Sequence, residues 1–138
     1  MSDIERSGGC LCGAVRFVAR GAPVRMPICH CRTCQKNTGS PFLAALIFKG
    51  GQVEITGELK TFQAPEVERR FCPQCGSLVC LTRPGRGECI VMLGSFDEPP
   101  AFVPDYEIYV TRRHSWLPEF AGTKRYAEYT DGKPLEDA

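Results

Sequence analysis

Seven cysteines in this chain fall into three tight groups: Cys10 and Cys12; Cys29, Cys31 and Cys34; Cys72 and Cys75. Thiolates are soft ligands that hold zinc in tetrahedral sites, and ligand pairs separated by two residues are common in such sites. In Cys72-Pro-Gln-Cys75-Gly76, a tight turn can aim both sulfurs at one ion, and Gly76 permits the positive φ such turns use. A tetrahedral site needs four ligands. Cys10-Leu-Cys12-Gly13 is the natural second pair, because Gly8-Gly9 and Gly13 let the chain bend around a metal. This site reads as structural, tying the N-terminus to mid-chain.

Cys29-His30-Cys31-Arg32-Thr33-Cys34 places three cysteines within six residues. Three protein ligands and an exchangeable fourth position are the pattern of catalytic zinc. The other reading is a closed site completed by Cys80, Cys89 or His114. His30 is expected to point away from the converging sulfurs. Cys80 and Cys89 lie in apolar, strand-like contexts and read as core thiols, with a reactive thiol as the alternative.

The remaining residues must form elements that position these loops. The chain has 138 residues, 43% of them hydrophobic, with 14 glycines and 11 prolines. Average usage would make those two types roughly 12% of a sequence, and the excess points to turns and short strands. The expectation is an all-β fold of about eight short strands with few or no helices. Ala14 to Arg20 alternates, with Val15 and Phe17 on one face. Phe42 to Phe48 is a continuous apolar run suited to a strand buried on both faces. Gln52 to Thr56 and Lys60 to Gln63 flank Gly57 like a hairpin. Val67 to Phe71, Ser77 to Thr82, Cys89 to Leu93 and Tyr106 to Val110 complete the set. A short helical turn is expected from Cys31 to Lys36. One domain is expected over 1–138, with its core at about 8–120 and a mobile tail from Asp131.

The formal charge is +1, with no basic stripe, so no nucleic-acid partner is expected. Seven thiolates and two zinc ions would bring the charge to about −2. The longest apolar run is far short of the ~20 residues of a membrane-spanning helix. Met1 to Gly9 has no apolar run, so no secretory leader and a cytoplasmic location are expected. In that reducing compartment, clustered cysteines read as metal ligands or catalytic groups.

At these residues the sequence resembles the glutathione-dependent formaldehyde-activating enzyme family, which includes the centromere protein V group. Gly8-Gly9-Cys10-Leu-Cys12-Gly13-Ala-Val-Arg16 is similar to its opening motif. Cys29-His30-Cys31-Arg-Thr-Cys34-Gln-Lys36 with Gly39-Ser40 is similar to its central one, and Phe71-Cys72-Pro-Gln-Cys75-Gly76-Ser77 to its third. The resemblance runs from about Gly8 to Trp116-Leu117. It implies a β-tent fold shared with B-type methionine sulfoxide reductases, and two zinc ions per chain. One would be structural, at Cys10, Cys12, Cys72 and Cys75, and the second would sit at Cys29, Cys31 and Cys34. It further implies carbon–sulfur lyase chemistry joining formaldehyde to glutathione as S-hydroxymethylglutathione. Arg32 and Lys36 would suit the two carboxylates of glutathione. A thiol carrier without chemistry, a zinc-ribbon-like interaction module and methionine sulfoxide reduction are the competing functions.

Overall fold

The computed structural model describes residues 4–64, 66–98, 100–130 and 134–135. They form twelve strands and one α-helix, α1 (Arg32–Thr38), so the expectation of a mostly β chain holds. The strands are β1 (Glu5–Gly9), β2 (Arg16–Arg20), β3 (Pro27–Cys29), β4 (Leu43–Lys49), β5 (Val53–Thr56) and β6 (Lys60–Ala64). They continue as β7 (Val67–Phe71), β8 (Leu78–Arg83), β9 (Glu88–Met92), β10 (Tyr106–Ile108), β11 (Lys124–Tyr126) and β12 (Pro134–Leu135). Apart from residues 134 and 135, the tail expected to be mobile lies outside the described residues.

The chain divides into two compact units, 1–24 with 46–101 and 25–45 with 102–138. In the first, β2 lies between β1 and β5, antiparallel to both. Phe17 and Ala19 along it and Val15 just before it are buried, which puts a β-period apolar face inward as the sequence leads one to expect. Phe17 meets Phe96 edge to face at 5.2 Å. Gly8 makes that approach possible, since a Cβ there would lie 2.2 Å from the Ser95 carbonyl oxygen and 2.5 Å from the Phe17 ring. A second antiparallel array in this unit runs β6-β7-β8-β9.

Gly57 does not turn a hairpin: β5 pairs with β2 and β6 pairs with β7. Local turn chemistry suggested the hairpin, and long-range pairing overrides it.

In the second unit β3 sits between β10, which is parallel to it, and β4, which is antiparallel. β10 continues to β11 in parallel, and β11 pairs antiparallel with β12. β4 carries the chain from this unit back into the first. Leu43, Ala45, Leu46, Ile47 and Phe48 along it are all buried, as a strand covered on both faces requires.

Candidate metal centres

The sulfurs of Cys10, Cys12, Cys72 and Cys75 lie within 4.8 Å of one another. Cys12 Sγ is 3.6 Å from Cys10 Sγ and 3.7 Å from Cys72 Sγ. Zinc–sulfur bonds of about 2.3 Å arranged tetrahedrally give sulfur–sulfur edges of about 3.8 Å. The donor set therefore fits zinc in both chemistry and size.

Two turns build this site. The first leaves β1, and the Gly13 N–H donates to the Cys10 carbonyl at 3.2 Å. The second leaves β7, and the Gly76 N–H donates to the Cys72 carbonyl at 2.9 Å. Gly76 has φ 78°, the left-handed conformation foreseen for it. Backbone N–H groups also point at the sulfurs: Val15 donates to Cys10 Sγ at 3.2 Å and Gln74 to Cys72 Sγ at 3.3 Å. Such donors stabilise thiolates. The Ser77 hydroxyl, 3.2 Å from Cys75 Sγ, heads the contacts that hold the Cys75 thiol down to about 5, followed by the N–H groups of Ser77 and Cys12. Cys12 goes the other way. The Ala14 N–H lowers its thiol, but desolvation and the three neighbouring sulfurs outweigh it and push it up to about 11. Ser77 also accepts the Leu11 N–H at 3.1 Å, joining the two turns. The sequence places this serine in the third motif without revealing its role beside Cys75.

The second cluster joins Cys29, Cys31 and Cys34, whose sulfurs also lie within 4.8 Å of one another. Cys29 ends β3, opposite Ile108 and Leu43. Cys31 caps α1, its Sγ accepting the Cys34 N–H at 3.3 Å. A sulfur here takes the place of the usual oxygen cap, and the first helical turn carries Cys34 round beside it. Hydrogen bonding to Cys31 and Cys34, together with burial, pushes the Cys29 thiol far up. A metal would have to displace that proton. Among the described residues, no other His, Cys, Asp or Glu joins this group.

His30, between two of these cysteines, is fully buried, and its Nε2 lies 2.8 Å from Glu107 Oε1. Burial draws the His30 pKa down, against the pull of Glu107. The ring packs against both Phe42 and Phe120, which also meet each other, and the His30 N–H donates to the Ile108 carbonyl at 3.1 Å. His30 thus points away from the sulfurs, as expected. Gln35, buried on α1, donates to the carbonyls of His30 at 2.7 Å and Arg112 at 3.1 Å. Its Oε1 meets Arg32 Nη1 at 2.8 Å and His114 Nε2 at 2.9 Å. Arg32 and Lys36 are both exposed on α1. Glu107 and Gln35 escaped sequence reasoning. The one available signal was a carboxylate and an amide standing at positions that should be apolar.

A Rhodobacter sphaeroides protein of known crystal structure superposes with a TM-score of 0.55 at 20% identity, over 66% of this chain and 87% of that one. That likeness shows a shared fold. A Schizosaccharomyces pombe protein named as an uncharacterized lyase is 31% identical over 74 residues, 53% of this chain and 54% of its own length. The chain therefore spans about half the length of that curated relative. Among the described residues, no helix is long and apolar enough to cross a membrane. Residues 5–112, well over half the chain, match the glutathione-dependent formaldehyde-activating enzymes, and the chain belongs to that family.

Proposed function

We propose that this protein is a cytoplasmic, zinc-dependent carbon–sulfur lyase-type enzyme acting on a thiol adduct such as S-hydroxymethylglutathione. In this reading residues 1–138 form one domain with two zinc ions. Cys10, Cys12, Cys72 and Cys75 hold the structural ion, and Cys29, Cys31 and Cys34 hold the other. The observation that carries the reading is the unequal ligand supply, four sulfurs in one cluster and three in the other. The groups that could have closed the second site lie outside the cluster. Cys80 and Cys89 are buried in β8 and β9, and His114 Nε2 meets Gln35.

Bound at the three-cysteine site, zinc would supply an open coordination position and keep a thiol ionised near neutral pH. The glutathione sulfur would then attack the formaldehyde carbon, forming the carbon–sulfur bond while the carbonyl oxygen takes a proton. The reverse step breaks that bond. Arg32 and Lys36 offer cations to the two carboxylates of glutathione, and Gln35 steadies Arg32 by accepting its Nη1–H. His30 has no solvent exposure, which suits an anchor for the Cys29–Cys31 loop better than a proton carrier.

Cobalt substitution tests the reading, because cobalt–thiolate spectra report the ligand set. Titration with glutathione should shift the parent spectrum, and the shift should vanish in Cys34→Ser. A second site already closed by four sulfurs would favour the interaction module. Thiol binding without faster formaldehyde consumption would favour the carrier.

A further inference from the structure

One buried side chain ties together two polar groups beside the three-cysteine loop. Gln35, next to Cys34 on α1, is 7% exposed, and its Nε2 donates both hydrogens, to the carbonyls of His30 and Arg112. That fixes which end of the amide is oxygen, and Oε1 can only accept. It accepts from Arg32 Nη1 at 2.8 Å and from His114 Nε2 at 2.9 Å, so those two nitrogens lie no further apart than the two distances together. With the hydrogen on Nε2, Nδ1 of the neutral His114 ring is left as an acceptor. Arg32 is exposed and held through Nη1, which leaves the rest of its guanidinium fork for another acceptor. Arg16, Arg20, Arg113 and Arg125 each face a carboxylate. Among the described residues, no carboxylate pairs with Arg32, Lys36 or His114. Trp116, 65% exposed, has its ring 5.9 Å from that of His114. Holding the loop accounts for the two carbonyl bonds of Gln35. It does not account for a cation and an acceptor nitrogen clamped to one oxygen with an exposed aromatic ring at their side.

We infer that Arg32 and His114 form a subsite for an α-amino acid head group, with Gln35 the positioning residue that sets their spacing. On the thiol-binding reading above, on which this inference rests, the thiol carries a free α-carboxylate and α-ammonium, as the γ-glutamyl end of glutathione does. Those two groups hang on one carbon, so they call for a donor fork and an acceptor side by side. The carboxylate accepts from the Arg32 guanidinium, whose planar fork matches it. The ammonium donates to His114 Nδ1, and the Trp116 ring gives the adjoining methylenes an apolar wall. Lys36, about one helical turn beyond Arg32, is left for the second carboxylate. Arg113, next to His114 in the chain, has its charge met by Glu107.

Trp116 is the one tryptophan of the chain, so its fluorescence reports occupancy of this subsite whatever happens at the metal. The test is titration of the zinc-loaded protein with S-methylglutathione, which keeps both ends of glutathione but has no free thiol, and with its analogue lacking the α-amino group. S-methylglutathione should change the fluorescence saturably. The deaminated analogue should bind about tenfold more weakly, as loss of a charge-assisted hydrogen bond requires. In His114→Phe, which keeps a ring, the two ligands should bind alike. In Arg32→Met both should weaken by about tenfold or more, with the gap between them kept. The inference is overturned if neither ligand changes the fluorescence, or if His114→Phe separates them as the parent does. A cobalt shift by glutathione with silent Trp116 fluorescence would overturn the subsite and leave the open zinc site standing. A fluorescence change without a cobalt shift would do the reverse.

Discussion

Replacing Glu107 by Gln tests how the second unit holds its cysteine loop. Glu107 is 1% exposed and accepts from Thr123 Oγ1 at 2.5 Å as well as from His30. Arg113 Nε lies 3.9 Å and Arg125 Nε 3.8 Å from its oxygens. At those separations each attraction is about 4 kcal/mol for an effective dielectric constant of about 20. Glutamine keeps the size and an acceptor but removes the charge. The loss is smaller than the sum of the two attractions. Arg125 keeps Glu119 at 3.1 Å, and Arg113 keeps the carbonyls of Leu117 and Pro118. Breaking a buried ion pair from one side costs about 3–5 kcal/mol, and that is the expected destabilisation. For a chain of this length it corresponds to a fall in Tm of roughly 10–20 °C. Urea unfolding followed by circular dichroism measures it, with Thr123→Val as the control that removes one hydrogen bond and about 1 kcal/mol. A Glu107→Gln variant within about 1 kcal/mol of the parent would refute the reasoning, since the carboxylate would then hold nothing in place.

Further outcomes follow from the clusters and the first unit. Elemental analysis of freshly reduced protein should give two zinc ions per chain, and one or none would contradict the donor count. Cys72→Ser should be insoluble or melt without cooperativity, because structural zinc contributes about 10–16 kcal/mol to a stability of about 5–15. Cys34→Ser should fold with one zinc, a contrast that thermal melting reads directly. Gly8→Ala should lose about 2 kcal/mol or more on urea unfolding, since its Cβ would meet the Ser95 carbonyl and the Phe17 ring, an overpacking cost of that size. Arg16 holds the Asp97 carboxyl below its ordinary 3.8, so the unfolded chain binds that proton first as the pH falls. The pair's contribution should be full above pH 3.8 and fade below it. The gap in Tm between parent and Asp97→Asn should therefore close in acid, and a gap that widens there would be inconsistent with the pairing.

Much of the site was legible because metal-ligand motifs are local. Cys72 to Gly76 and Cys29 to Cys34 each bring their sulfurs together within one turn, so spacing alone conveyed the grouping. β4 was legible for a similar reason, its apolar run from Phe42 to Phe48 having only one comfortable setting. What the sequence concealed depends on distant partners. β1 contains Ser7-Gly8-Gly9, poor strand formers by propensity, and it becomes a strand because Gly8 lets the chain approach Phe17 and Ser95. Gly57 looked like a hairpin turn, yet the partner of β5 lies about forty residues before it and the partner of β6 ten or more residues after it. Glu107 sits in a strand of ordinary appearance. Only its placement beside His30, Arg113 and Arg125 makes its charge structural.

The two clusters differ in a way that bears on function. Cys12 and Cys72 are 60 residues apart, so an ion shared between them would close a loop whose entropy, by the relation used for disulfides, is about 4 kcal/mol. Cys29 and Cys34 are five apart, and the same relation gives only about 2 kcal/mol. The first site therefore gains most as a staple and has little to offer a substrate without releasing the chain. The second gains little as a staple. Its loop is already held by the Cys31 cap, by Gln35 on the His30 carbonyl and by Glu107 on the His30 ring. A metal site held in place by protein contacts can exchange a ligand without loosening the fold. That independence supports the proposal that the chemistry lies at Cys29, Cys31 and Cys34, and it makes Cys34→Ser the variant in which fold and activity should separate.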